Sequence, residues 1–263
     1  MKFCSLYSGS SGNSIFVGSD NSSILVDAGL SGKSIDSAMS CINEDPSKID
    51  GIFVTHEHLD HIKGVGILSR KYNIPIYANE LTWQAMAGSL GKIKSENIKI
   101  MPYGECISIK DLEIISYKIP HDAAAPCGYK IVSKNKSVCV ATDLGYFSDE
   151  VKASIKDSDV ILLESNHDVE MLKFGPYPYP LKCRILSNVG HLSNEDCGKA
   201  ILDIIGSGKR KKIILGHLSK TNNYPDLAYK TVENVLVESG VKVNSDVFIS
   251  MAKRGEPSNY MEI

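Results

Sequence analysis

Thr55-His56-Glu57-His58-Leu59-Asp60-His61 decides how this chain is read. Four side chains able to ligate a metal fall within six residues. They follow directly on Gly51-Ile52-Phe53-Val54, an apolar run that reads as a short buried strand. In extended backbone His56 and His58 project to one side, one pleat apart. Asp60 and His61 come as the chain turns toward a helix expected over 62–72. One loop can therefore offer two imidazoles to one cation, and a carboxylate with an imidazole to a neighbouring one. Histidine and carboxylate together suit zinc, manganese or iron, and the lack of a thiolate points away from a purely structural zinc. A lone histidine would be read as a surface or capping residue; a cluster this dense is not.

Outward from this loop, residues with chemistry recur just past apolar runs. His121 follows a strand expected over 112–119. Asp143 lies beyond a strand over 137–141, which pairs as a hairpin with 128–132. Glu164 closes a strand over 160–163, and His217 follows one over 212–215. Runs 14–17 and 23–26, separated by Gly18-Ser19-Asp20-Asn21, read as another hairpin. Helices are expected over 34–41, 79–87, 193–205 with Ser193 as cap, and 226–238. The tail from 245 to 263 offers two short strands. Phe174-Gly175-Pro176-Tyr177-Pro178-Tyr179-Pro180 reads as a loop. No internal sequence repeat is visible. The expectation is one α/β domain over residues 1–263, with its site beyond the strand ends.

Composition narrows the class. The 263 residues carry 29 Lys+Arg against 31 Asp+Glu, and 43% are hydrophobic, which excludes disordered, collagen-like and coiled-coil chains. A net charge of −2 argues against a broadly basic surface, though not against a local basic strip or charge supplied by metal. Seven scattered cysteines, with no C-x-x-C pair, argue against a disulfide framework or zinc ribbon. No apolar leader and no membrane-length apolar run is evident, so a reduced, cytoplasmic protein with no membrane partner is expected.

The His-x-His-x-Asp-His pattern resembles the signature of the metallo-β-lactamase-fold hydrolases. The resemblance implies an αβ/βα four-layer sandwich with two divalent ions, zinc or manganese. It carries over to His121 in Ile119-Pro120-His121-Asp122-Ala123, to Asp143 in Ala141-Thr142-Asp143-Leu144-Gly145, and to His217 in Ile214-Leu215-Gly216-His217. By it, His56, His58 and His121 bind one metal, Asp60, His61 and His217 bind the second, and Asp143 is shared. Two cations lower the pKa of a water between them and neutralise an anionic electrophile, which favours a phosphodiester substrate. The resemblance also gives Asp60 a hydrogen bond to the nucleophile. A bridging aspartate is typical of the phosphodiesterase and glyoxalase II branches, not of true β-lactamases. The 74 positions from Asp143 to His217 leave no room for the inserted β-CASP domain, and the 46 residues after His217 are few for a glyoxalase II helical domain. Leu163-Glu164-Ser165-Asn166-His167-Asp168 and Val189-Gly190-His191-Leu192-Ser193-Asn194 resemble the Glu…His pair of tRNase Z-type nucleases. There a glutamate orients a histidine that protonates the leaving oxygen, which here implies Glu164 as orienter and His191 as acid.

Over residues 1 to about 223 the chain is similar to the YycJ/WalJ (VicX) family. The shared stretches are Ser8-Gly9-Ser10-Ser11-Gly12-Asn13-Ser14, the Thr55 to His61 motif, Pro120-His121-Asp122-Ala123, Cys127-Gly128-Tyr129, Glu164 to Asp168, Gly175-Pro176-Tyr177-Pro178, and the segments around His191 and His217. This implies a DNA exonuclease of 5′-to-3′ polarity linked to DNA repair.

Substrate contacts are read from position. Ser11 and Asn13 lie in a Gly/Ser loop that can cradle phosphate or simply turn the chain. Lys220 and Asn222 sit beside His217, at the metal mouth. His167 reads equally as a substrate contact or a surface residue. Tyr177 and Tyr179 are candidates for base stacking or loop packing, and the run Lys209-Arg210-Lys211-Lys212 for a nucleic-acid contact or a solvated turn. The alternatives are an RNase, a small-molecule phosphodiesterase of the same fold, or a non-catalytic regulatory partner of a two-component sensor pathway.

Overall fold

In the computed structural model, which describes residues 1–206 and 210–263, the apolar runs become strands of two mixed sheets. Strands β1 (Lys2–Tyr7), β2 (Ser14–Gly18), β3 (Ser23–Val26), β4 (Gly51–Phe53), β5 (Ile76–Ala78) and β6 (Ile98–Ile100) lie in that order across the first sheet. Strands β7 (Cys106–Ile109), β8 (Leu112–Lys118), β9 (Cys127–Ser133), β10 (Lys136–Ala141), β11 (Val160–Glu164), β12 (Lys211–Gly216) and β13 (Val247–Met251) lie in order across the second. The last strand, β14 (Ser258–Glu262), returns to the first sheet beside β1. The two sheets repeat one plan. From β14 to β3, and from β7 to β10, neighbours are antiparallel; from β3 to β6, and from β10 to β13, they are parallel.

The helices are α1 (Gly32–Cys41), α2 (Leu59–Ile62), α3 (Val65–Tyr72), α4 (Glu80–Leu90), α5 (Asp149–Ile155), α6 (Val169–Phe174), α7 (Tyr179–Ile185), α8 (Asn194–Ile204) and α9 (Pro225–Glu238). On one outer face, Ile35, Met39, Leu68, Trp83 and Met86 pack on Leu6, Phe16, Leu25 and Ile52. On the other, Val151, Ile155, Ile201, Val232 and Leu236 pack on Cys139, Ile161, Leu163 and Ile213. Between the sheets Phe3, Val17, Ile24 and Phe53 meet Ile114, Tyr129, Val140, Leu162 and Ile214. The result is the expected αβ/βα sandwich. Its central strands are dry on both faces, which is why they read as unbroken apolar runs. Tyr129 crosses between the sheets: its ring meets Phe53 edge-on at 5.6 Å, and its hydroxyl donates to the Val54 carbonyl at 2.8 Å. That bond holds the strand end from which the histidine loop departs.

Both expected hairpins form, β2–β3 and β9–β10, and β13 and β14 supply the two strands of the tail. The helix expected over 62–72 is instead two helices, broken at Lys63-Gly64. The Gly64 N–H donates to the Ala28 carbonyl at 2.7 Å, and a Cβ there would lie 2.3 Å from the Leu30 carbonyl oxygen. Close approach of two backbones, invisible in periodicity, breaks the helix. The Pro-rich stretch is a loop only at its centre, since α6 runs into it and α7 out of it. Pro180 sits in the first turn of α7, where proline costs no hydrogen bond. Among the described residues no helix is long and apolar enough to cross a membrane.

Candidate metal centre and active site

The site lies where several strands end on one edge of the sandwich. The loop after β4 is fastened there by main-chain bonds from two neighbouring segments. Ala28 N–H donates to the His61 carbonyl (2.9 Å), Asn13 N–H to the Asp60 carbonyl (2.8 Å), and Gly29 N–H to the Asn13 carbonyl (2.8 Å). His58 occupies the N-cap of α2 in extended backbone, so His56 and His58 stay in the extended segment while Asp60 and His61 enter the helix. Glu57 accepts from the Ala124 N–H at 2.8 Å, tying this loop to the one that carries His121.

Three groups of side chains converge. The ligand atoms of His56, His58 and His121 lie within 4.8 Å of one another, as do those of His56, His61 and Asp143, and those of Asp143, Glu164, His191 and His217. Six of the chain's seven histidines belong to these groups, so histidine in this protein is concentrated at one place, with His167 outside it. Asp143 is the centre. Its Oδ2 is 3.5 Å from His61 Nε2, and its Oδ1 is 3.4 Å from His217 Nε2 and 3.8 Å from His121 Nε2. Asp60 stands at the rim, its side chain 29% exposed, with Oδ2 3.6 Å from His61 Nε2; it lies outside the three convergent groups.

The cluster has the chemistry of a cation site. Among the described residues, the buried His121 Nε2 and Asp143 Oδ2 find no hydrogen-bond partner, a costly state that a cation relieves. The donors are nitrogen and oxygen without sulfur, which suits a divalent ion. Burial alone would raise the Asp143 carboxyl, but His217, His61, His56 and His121 hold it well below the usual carboxylate range. Burial and the neighbouring imidazoles push His56 well down, toward the neutral form a metal requires.

The residue the sequence reading missed is Asp27. It is buried just past β3, and its Oδ2 lies 2.8 Å from His61 Nδ1 and accepts from the Thr55 hydroxyl at 2.8 Å; its Oδ1 accepts from the Thr55 N–H at 2.8 Å. Asp27 thus holds one ring nitrogen of His61 so that Nε2 faces Asp143. The available signal was its position, an acid directly after an apolar strand. Burial opposes charge on His61, yet Asp143, Asp27 and Asp60 lift its pKa to about 10. Asp27, Asp143 and His217 all adopt the left-handed backbone (φ 60°, 62° and 54°), uncommon for residues other than glycine and often found at functional sites.

Glu164 and His191 meet as a pair. Glu164 is fully buried; its Oε2 accepts from the N–H groups of Leu144 (2.6 Å) and Leu192 (3.1 Å), and its Oε1 lies 2.8 Å from His191 Nδ1. Burial works against a charged His191, but Glu164 and then Asp143 raise it to about 9. His191 lines a small cleft of about 150 Å³ together with Ser10, Asn166, Tyr177, Arg184 and Ser219.

The remaining candidates divide. Asn13 reaches into the centre itself: its Nδ2 lies 3.1 Å from His61 Nε2 and 3.4 Å from Asp60 Oδ2. Ser11 and Lys220 are exposed. His167 is not at the surface: it is 1% exposed, neither ring nitrogen is bonded among the described residues, and burial lowers it to about 4. Asn222 is likewise buried with its amide unpartnered. Tyr177 lines the cleft, whereas Tyr179 projects outward. Of the basic run, Lys209 lies outside the described residues, and Lys211 is buried and donates to the Lys156 carbonyl.

Fold and site together define a class. The chain belongs to the beta-lactamase superfamily, whose domain matches residues 22–217, a span that ends on His217. It is 47% identical over 247 residues to the exodeoxyribonuclease WalJ of Streptococcus pneumoniae (strain D39), covering 93% of this chain and 91% of that one. It is 45% identical over 243 residues to the exodeoxyribonuclease YycJ of Bacillus anthracis, covering 92% of each. The expected YycJ/WalJ resemblance is met. Among solved structures, the metallo-beta-lactamase fold protein YhfI from Bacillus subtilis superposes with a TM-score of 0.71 at 16% identity, covering 98% of this chain and all of that one.

Proposed function

We propose that this protein is a divalent-metal-dependent phosphodiesterase that degrades DNA as a 5′-to-3′ exonuclease, with residues 1–263 acting as one domain. The observation that carries the reading is the Glu164–His191 pair, set against the same Asp143 that gathers the metal-ligating imidazoles. The relatives named exodeoxyribonucleases support DNA as the substrate.

Two ions, zinc or manganese, would fit the donor set: His56, His58 and His121 would hold one, Asp60, His61 and His217 the other, and Asp143 would serve both. When bound, such ions supply a deprotonated water at neutral pH and neutralise charge on a phosphodiester. The protein's own groups do the rest. Asp60, at the rim, accepts a hydrogen bond from the attacking water. His191, kept protonated at neutral pH by Glu164, donates a proton to the departing 3′ oxygen. Glu164 moves no proton; two main-chain N–H groups fix its carboxylate so that His191 keeps one orientation. Asn13 steadies the carboxylate of Asp60. We place the protein in the cytoplasm, where its free thiols persist.

The test is digestion of 5′- and 3′-labelled DNA, single-stranded and duplex, with added Mn²⁺ or Zn²⁺. Release of mononucleotides from the 5′ end is expected. Preference for RNA or for a small phosphodiester moves the assignment to the corresponding hydrolase. A cellular phenotype that survives His58→Ala points to a non-catalytic role.

A further inference from the structure

A groove of about 780 Å³ opens beside the metal centre, between the loop after β12 and the segment that follows β13. Its wall carries Lys220, Lys253 and Arg254 against one carboxylate, Glu256, and Lys253 pairs with that carboxylate at 2.7 Å. Among the described residues no ion pair engages Lys220 or Arg254. Two cations therefore face the groove unneutralised, in a protein whose net charge is −2.

Arg254 is the more telling of the two. Its half-buried guanidinium donates to the Leu218 carbonyl and, at 3.4 Å, to the Ser10 hydroxyl. Leu218 follows His217, and Ser10 lines the cleft of His191. The fork is held against the loop after β12 and the loop that carries Ser10, and a guanidinium presents more donors than these two bonds use. Ser219 lines the cleft and the groove alike, so the two are continuous. Tyr224, 51% exposed, stands on the groove wall.

We propose that this groove is a second nucleic-acid subsite, holding the single strand a nucleotide or more from the scissile phosphate. Arg254 and Lys220 bind backbone phosphates, and Tyr224 offers its ring to a base. A planar fork fixed in advance binds phosphate with little ordering cost. This inference rests on the nuclease reading, and it adds that reach along the strand, not the metal centre alone, selects a polymer over a small diester.

The test compares the full chain with its Arg254→Gln and Lys220→Gln variants, in Mn²⁺. It reads the ratio of kcat/KM for a single strand of about ten nucleotides to that for bis(p-nitrophenyl) phosphate, at several salt concentrations. Each variant is expected to lower the ratio about ten-fold, and to reduce the salt slope by about one for each phosphate that goes unneutralised. Lys220 is exposed and unpaired, so its variant stays informative if Arg254→Gln disturbs the loops. Anisotropy of a labelled strand on the metal-free proteins reads the same interactions without turnover, and weaker binding is expected. Oligonucleotide cleavage with an unchanged ratio in both variants overturns the groove alone. A wild-type protein that cleaves the small diester and leaves the strand intact overturns the nuclease reading, and the groove with it.

Discussion

Asp27 Oδ2 lies 2.8 Å from His61 Nδ1, and both groups are buried. The carboxylate accepts from Nδ1–H and turns Nε2 toward Asp143. Supporting carboxylates of this kind raise the basicity of a ligating imidazole, and their loss lowers metal affinity about 10–100-fold. Asp27→Asn is expected to weaken metal binding by that amount in competition against a chelator. Unchanged affinity would remove Asp27 from the support of the site.

His191 in the metal-free protein is expected to titrate at about 9, and NMR of its ring protons reads this directly. Glu164→Gln removes the main attraction and moves the value down. The folded pKa lies above the unfolded value of about 6.5, so the pair's contribution to stability is complete below that pH and is lost as pH rises through about 9. His191→Ala is expected to lower kcat about 10²–10⁴-fold with a smaller effect on KM, as loss of a general acid does.

Metal loading is expected to release protons. His61 is raised to about 10 in the metal-free protein, yet a ligand must be neutral. Calorimetry in two buffers of different ionisation enthalpy counts the protons released, and apparent affinity falls as pH is lowered. Chelation lowers Tm, because an ion at a hundred times its Kd stabilises the folded state by about 2.7 kcal/mol. Buffer-independent heats would contradict the assignment of His61 as a ligand.

Two glycines to alanine should act in opposite directions. At Gly29 a Cβ would sit 1.7 Å from the Asp60 carbonyl oxygen, so Gly29→Ala displaces the loop carrying Asp60 and His61. A loss of at least about 1–3 kcal/mol and weaker metal binding are expected. Gly88, within α4, has open space around its Cβ position, and Gly88→Ala should stabilise by about 0.5–1 kcal/mol. Urea midpoints separate the two.

The α/β class and the loop that anchors the metal-ligating cluster were legible because their signals are short-range, whereas the four-layer arrangement and the ligands His121, Asp143 and His217 were implied by the family resemblance. His56, His58, Asp60 and His61 share one loop, and two-sided burial writes itself into the central strands as continuous apolar runs. The helix break at Gly64 and helices α6 and α7 were not legible, since the first depends on close approach of another chain segment and the others flank prolines. The repeat between the sheets was also hidden. Asp27 follows β3 and Asp143 follows β10, both in left-handed backbone, and their surroundings share only an Asp-x-Gly, Asp27-Ala28-Gly29 and Asp143-Leu144-Gly145, too short a match to reveal the repeat. Strand pairing uses the main chain, which any residues supply, so topology can repeat where sequence does not.

Consecutive residues were enough to specify the donor chemistry, because ligand type and spacing within one turn are local properties of the chain. Folding was needed to set Asp27 against His61 across 34 positions, and Arg254 against Ser10 across 244. Such partners become neighbours only when two sheets close on a shared core, and burial is a property of that closed assembly, not of any local stretch of chain.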